Sequence, residues 1–197
     1  MKRIGLAVLA LVLWSSTGLA VSVKTLNLVE LVQRADRVFH GKCLTRESRG
    51  ENASVPIVEY TFEVKKAIKG VAEGERVVFR QVDGSEVGEP GIPGVPQYAV
   101  GQELVLFLKK ESRRGLTSPV GLGQGAFVVK KNGRREAEVV NFVRNRNLLI
   151  GLSEADQTAI APQEFQALKP GQPIPLSHFS SLVARVVRFD RTENRSR

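Results

Sequence analysis

The chain has 197 residues, 42% of them hydrophobic and 25% charged, and its 29 lysines and arginines against 20 aspartates and glutamates give a formal net charge of +9. A chain of this length buries roughly 70% of the surface that its unfolded form exposes, so one core can hold it without disulfides or a metal. A single cysteine excludes an intramolecular disulfide, and with only two histidines beside it the ligands for a structural Cys/His zinc site are lacking. We therefore expect one globular domain with appendages and no cofactor.

The N-terminus has the three parts of a cleavable secretory signal. Lys2 and Arg3 precede an apolar run from Ile4 to Trp14, and the small residues Gly18 and Ala20 follow it. The run is about half of the roughly 20 residues that a membrane-spanning helix needs. We predict that residues 1–20 are a signal peptide cut after Ala20 and that the protein is secreted or periplasmic; an uncleaved anchor is the alternative.

The mature chain begins with a pattern typical of a short helix. Asn27 can cap its start, and Glu30 stands three residues later, where its carboxylate can bond back to the cap. Apolar residues then recur on one face, at Leu28, Leu31, Val32 and Ala35.

From Arg37 onward the pattern predicts strands that follow one another without helical crossovers. The first surrounds Gly41 and ends before a polar loop at 47–54, the second alternates from Val58 to Lys65, and the third spans 76–82. After a Gly/Pro-rich loop at 83–97, residues 104–108 are apolar on both faces, which indicates a central strand covered on both sides.

The rest of the chain predicts a hairpin, a linker and a helix. Asn132-Gly133, between strands at 126–131 and 134–142, suits a two-residue turn. Residues 147–175, interrupted by four prolines, are predicted as a wrap or linker. Residues 176–189 are predicted as a helix that Ser177 caps, with a frayed tail at 190–197. The apolar stripe of that helix is expected to dock on the barrel, and contact with a membrane surface is the alternative.

These elements indicate a mainly β protein. The expected architecture is a small antiparallel Greek-key barrel or sandwich over residues 25–146, preceded by a short helix and followed by a C-terminal helix. A parallel α/β architecture is disfavoured because it requires helical crossovers.

Three segments come in an order known from one family. They are 31–42 (LVQRADRVFHGK), the alternating strand 60–64 that leads to Ile68-Lys69-Gly70, and 101–108 (GQELVLFL). On these the chain resembles the netrin-like domain of tissue inhibitors of metalloproteinases, and more closely a class of uncharacterised exported bacterial proteins built on that pattern. The resemblance covers about residues 26–129 and implies that the 25–146 domain is a barrel of the oligonucleotide/oligosaccharide-binding (OB) type. Such motifs support an architecture better than an activity.

The resemblance also implies a candidate partner, a secreted metalloprotease. The animal inhibitors begin with a cysteine whose amine and carbonyl chelate the protease zinc, whereas the predicted mature chain here begins at Val21. The inhibitory residues therefore have no counterpart in this sequence.

The 88–98 loop is the leading candidate for a binding site. Long loops on a rigid barrel commonly carry binding residues, and this loop has apolar side chains to bury against a partner. We expect a non-enzymatic protein that binds another protein through the loop and the rim near the mature N-terminus, using Glu89, Ile92, Val95, Gln97, Tyr98 and Val21.

Two basic clusters suggest the alternative, binding of anionic envelope polymers or lipid head groups. Successive hairpin tips lie at opposite ends of a meander, so we do not expect one merged groove, and nucleic acid is disfavoured because few aromatics are left for stacking. The clusters are Lys109, Lys110, Arg113 and Arg114, and Lys130, Lys131, Arg134 and Arg135.

Other polar and glycine-rich features have structural interpretations. The 121–125 segment (GLGQG) precedes a strand rather than a helix, so its glycines are expected to allow close backbone approach or a bulge rather than to bind phosphate. His40 is expected to be a surface or hydrogen-bonded core residue, and Cys43 a buried thiol. No nucleophile, base and orienting group come together in the sequence, so an enzyme is not expected.

Overall fold

A computed structural model describes residues 24–49, 56–83, 94–131, 133, 135–146, 148–154 and 171–193. The predicted signal peptide and most of the predicted linker lie outside these residues. No helix in the described ranges is long and apolar enough to cross a membrane.

The described chain forms two α-helices and one seven-stranded antiparallel sheet. In chain order the elements are α1 (Leu28–Arg34), β1 (Arg37–Arg49), β2 (Ile57–Lys69), β3 (Arg76–Val82), β4 (Glu103–Leu108), a 3₁₀ turn (Leu122–Gly125), β5 (Ala126–Lys130), β6 (Glu138–Asn141), β7 (Ile174–Pro175) and α2 (Leu176–Glu193). The strand order across the sheet is β3-β2-β1-β4-β5-β6-β7. The predicted mainly β class with flanking helices is confirmed.

The first four strands form a Greek key. β1, β2 and β3 are neighbours in sequence and in space, and the chain then returns so that β4 lies beside β1. The 116–119 segment closes this part of the sheet, because Leu116 pairs with Arg80 of β3 in parallel and Pro119 pairs with Leu108 of β4 in antiparallel orientation. These two bridges join the edges of the first four strands into a small Greek-key barrel.

α1 begins as predicted. Asn27 Oδ1 accepts from the Glu30 backbone N–H at 2.9 Å, and the Glu30 carboxylate accepts from the Asn27 N–H at 3.1 Å. This reciprocal box satisfies two of the N–H groups that a helix start leaves unpaired.

The two faces of β4 separate two apolar cores. Leu104, Leu106 and Leu108 face the barrel interior, where they meet the aromatic side chains of β2 and β3. Val105 and Phe107 face the opposite side, where α1 and α2 cover the sheet. The prediction that 104–108 is covered on both faces is confirmed. The apolar stripe of α2 lies in the second core, which confirms its docking on the barrel: Phe179, Leu182, Val183, Val186 and Val187.

The predicted two-residue hairpin turn is wrong. β5 and β6 do pair, but Phe127 lies opposite Asn141 and Lys130 opposite Glu138, so seven residues connect the strands. A turn at 132–133 would shift the register by an odd number of residues and place Glu138 opposite buried Phe127. It would also place Lys131 opposite Arg134, two like charges.

β1 and α2 also differ from the predictions. β1 continues to Arg49 because residues 45–49 pair with 57–61 of β2, so the predicted polar loop starts later. Ser177 does not cap α2; it lies inside the helix, where its hydroxyl bonds to the Glu136 carboxylate. α2 runs to Glu193 rather than ending at residue 189.

Candidate functional site

Three clefts on the barrel surface share lining residues and therefore adjoin one another. The Lys109 cleft has a volume of about 460 Å³ and includes Val95, Leu122 and Lys109 in its lining. The central cleft, about 270 Å³, shares Val95 and Leu122 with it and adds Phe142 and Val143. The Lys130 cleft, about 440 Å³, shares Phe142 with the central cleft and is lined further by Val128, Lys130, Val140 and Arg144. These shared residues make the three clefts one surface, which we call the groove.

The middle of the groove exposes apolar side chains. Phe142 is 50% exposed and Val143 is 38% exposed, and both line the central cleft. Val95 and Leu122 are half-buried beside them. Large apolar side chains that are clustered and accessible are typical of surfaces that bind a partner.

The glycine-rich segment 121–125 brings the walls of the central cleft together. The Gly123 N–H donates to the Gly94 carbonyl at 3.1 Å, and the Phe142 N–H donates to the Gly123 carbonyl at 3.2 Å. A Cβ at Gly123 would stand 2.8 Å from Cβ of Phe142, and one at Gly125 would stand 2.5 Å from the Val120 carbonyl oxygen. The prediction that these glycines allow close backbone approach is confirmed.

Backbone strain concentrates along the groove. In the described part of the chain three residues other than glycine have positive φ, and two of them, Leu122 at 56° and Arg144 at 57°, line the groove. Such a conformation costs roughly 1–3 kcal/mol and is found most often at functional sites. The strained turn places the Leu122 side chain against both the Lys109 cleft and the central cleft.

The N-terminal segment is fixed beside the same groove. The buried Gln124 side chain lines the central cleft, donates to the Lys24 carbonyl at 3.0 Å and accepts from the Leu26 N–H at 2.8 Å. Val21, the predicted rim residue, lies outside the described residues.

The structure separates the other predicted loop residues. Val95 lies in the groove, and Gln97 is exposed and donates to the Asp83 carboxylate at 3.4 Å. Glu89 and Ile92 lie outside the described residues.

Tyr98 does not face a partner, because it is 1% exposed inside the barrel with its ring centroid 4.9 Å from that of Tyr60. Its prediction as a contact residue is therefore wrong. Burial raises the pKa of Tyr98 well above its usual value. Cys43 is also buried in this core, as predicted, and burial raises the pKa of its thiol.

The two basic clusters lie at opposite ends of β4. Lys109 and Lys110 follow its last residue, whereas the Lys131 ammonium bonds to Glu103, its first residue, at 2.7 Å. At about 3.4 Å per residue, six residues of strand separate the two ends by roughly 20 Å. Arg113, Arg114 and Arg135 are exposed, and Arg134 lies outside the described residues.

Glu103 holds a compact charge network on β4. Its carboxylate accepts from Lys131, from Lys65 at 2.8 Å and from the His40 ring at 3.1 Å. Partial burial alone would raise the pKa of Glu103, but the hydrogen bonds from Lys131, Lys65 and His40 outweigh it and lower the pKa to about 2. Burial lowers the pKa of His40 despite the opposing effect of Glu103. This network joins the start of β4 to β1, to β2 and to the residue that follows β5, and His40 is a hydrogen-bonded core residue as predicted.

The chain was compared with protein-family models, curated proteins and solved structures. No match was found in any of the three comparisons. The geometry of the groove therefore carries the functional interpretation.

Sequence patterns missed Phe142, Val143 and Leu122 as groove residues. Phe142 and Val143 follow the short strand β6 and precede basic residues. An apolar pair just beyond the end of a strand is the sequence signal that could have indicated exposed groove residues. Nothing in the sequence places Leu122 in the left-handed region, because that conformation is rare outside glycine and asparagine.

Proposed function

We propose that the protein is an exported binding module that holds a segment of another protein in the groove. One observation carries the proposal: half-exposed Phe142 and Val143 form a single apolar surface with Val95 and Leu122. A rigid closed barrel beneath them supplies the fixed scaffold on which binding surfaces are usually built. Export is supported by the signal-like residues 1–20.

The unpaired cations along the groove favour a partner segment with acidic character. Lys109, Lys110, Lys130 and Arg144 line its outer clefts and form no ion pair within the described ranges. Complementary charge steers association and sets orientation more than it adds affinity. Among protein partners, a secreted protease is the class that the netrin-like resemblance suggests, and the N-terminal segment held by Gln124 lies beside the groove.

Site-specific photo-crosslinking tests this proposal. A benzoylphenylalanine placed at position 142 or 95 is exposed to the extracellular and envelope extract of the native host. Val78, which is 46% exposed on β3 and lines none of the three clefts, provides the matched control position. We expect positions 142 and 95 to capture the same partner and position 78 to capture none. Equal capture from position 78, or none from 142 and 95, would contradict the proposal.

A further inference from the structure

The Lys109 cleft combines a cationic mouth with an apolar floor. Its lining includes two consecutive exposed lysines, Lys109 and Lys110, which we call the mouth. It also includes four apolar residues, which we call the floor: Val82, Val95, Leu116 and Leu122. Its volume of about 460 Å³ lies within the usual range of specific ligand pockets.

No described residue compensates the charge at the mouth. Neither Lys109 nor Lys110 forms an ion pair with a described residue, whereas Lys65 and Lys131 both bond to Glu103. Two lysines that line one cleft without an acidic partner among the described residues favour an anion there. The apolar floor would then take an apolar group attached close to that anion.

A third feature is a buried acceptor in the lining. Gln81 is 1% exposed, and its Nε2 donates to the Pro96 carbonyl at 2.7 Å, but its Oε1 has no hydrogen-bond partner in the part of the chain that the structure describes. A buried acceptor without a donor is costly and calls for a physical explanation. A ligand that brings an N–H group to the floor would satisfy it.

We propose that the Lys109 cleft binds the free C-terminus of a partner polypeptide that ends in an apolar residue. The terminal carboxylate pairs with Lys109 and Lys110, the last side chain packs on the floor, and a backbone N–H reaches Gln81. A fatty acid lacks the N–H group, and an internal acidic segment carries its charge on a side chain rather than at the chain end. This inference rests on the proposed function, because it assigns one end of the same groove to the end of the bound segment.

Two peptide libraries test the inference. Both are heptapeptides with six random positions and a final Val, Leu, Ile or Phe; one has a free carboxylate and the other a C-terminal amide. We expect selection from the free-acid library, and amidation of the best peptide should weaken its affinity by about tenfold or more because a charge-assisted hydrogen bond is lost.

Variants locate the site and separate the two proposals. The variant with Lys109→Ala and Lys110→Ala should show the same loss, whereas Lys66→Ala with Arg76→Ala, which removes two exposed charges outside the groove, should bind as the wild type does. If the acid and amide peptides bind equally and their binding still depends on Phe142, the inference is wrong but the proposed function is supported. If no peptide from either library binds, the inference is also wrong. The crosslinking experiment at position 142 then tests the proposed function independently.

Discussion

Replacing Glu103 with glutamine should remove a pH-dependent part of the stability. The pKa of Glu103 lies at about 2 against an ordinary value of 4.5, because its lysine and histidine hydrogen bonds outweigh partial burial. At about 1.4 kcal/mol per pKa unit, this difference corresponds to roughly 3 kcal/mol. Lys131 is 65% exposed, so solvent screening reduces the expected contribution to about 1–3 kcal/mol.

The sign follows from the direction of the shift. Because the folded-state pKa is lower than the unfolded one, the stabilisation is complete above about pH 4.5 and is lost as the pH falls towards 2. The free energy of unfolding, measured by urea titration at a series of pH values, should therefore differ between wild type and Glu103→Gln at pH 7 and converge near pH 2.

The control is Glu63→Gln, on the exposed face of β2, where the carboxylate makes no ion pair within the described ranges. Its effect should stay within about 0.5 kcal/mol at every pH. Parallel curves for wild type and Glu103→Gln, separated by a constant amount down to pH 2, would refute the reasoning about the network.

Three further predictions concern the core, the groove and the basic clusters. Tyr98→Ala should lower the free energy of unfolding by about 3–5 kcal/mol because it leaves a cavity among the barrel rings. Tyr98→Phe removes a hydroxyl that has no hydrogen-bond partner among the described residues, so it should be neutral or stabilising; a large loss of stability in Tyr98→Phe would show that the hydroxyl has a partner. Leu122→Gly should relieve the positive φ, which costs roughly 1–3 kcal/mol, but it also removes a half-buried apolar side chain worth about 1–2 kcal/mol. The two effects oppose each other, so the net change in stability should stay within about 1 kcal/mol, whereas partner binding should weaken. Unchanged affinity in a titration would remove Leu122 from the groove's contacts. Charge reversal at Lys130 and Arg135, which spares the Glu103 network, should weaken binding to anionic vesicles or dextran sulfate at low salt if the polyanion alternative holds, and an affinity that stays the same would exclude it.

Local sequence patterns were sufficient to predict the elements that are determined by residues close together in the chain. The capping box of α1 and the alternation of β2 depend on residues within a few positions of each other, so sequence alone predicts them. Leu104–Leu108 shows both faces apolar and indeed separates two cores.

Elements decided by distant contacts were not predictable in this way. The β5–β6 register follows from matching buried faces rather than from Asn132-Gly133, and Tyr98 is buried by rings from β2 and β3 although it lies in a Gly/Pro-rich loop. The groove has the same origin: Val95, Leu122 and Phe142 are far apart in sequence and meet only because the glycine-rich turn allows their backbones to approach closely.

The affinity of the crosslinked partner for two matched variants tests the central claim most directly. Phe142→Asp places a charge in the apolar centre of the groove, and Val78→Asp places the same charge on a comparably exposed apolar residue of β3. Because a buried apolar anchor in an interface typically contributes 2 kcal/mol or more, Phe142→Asp should weaken binding by about thirtyfold or more, with Val78→Asp close to wild type. An equal affinity for both variants would show that the partner binds elsewhere and would contradict the assignment of the groove.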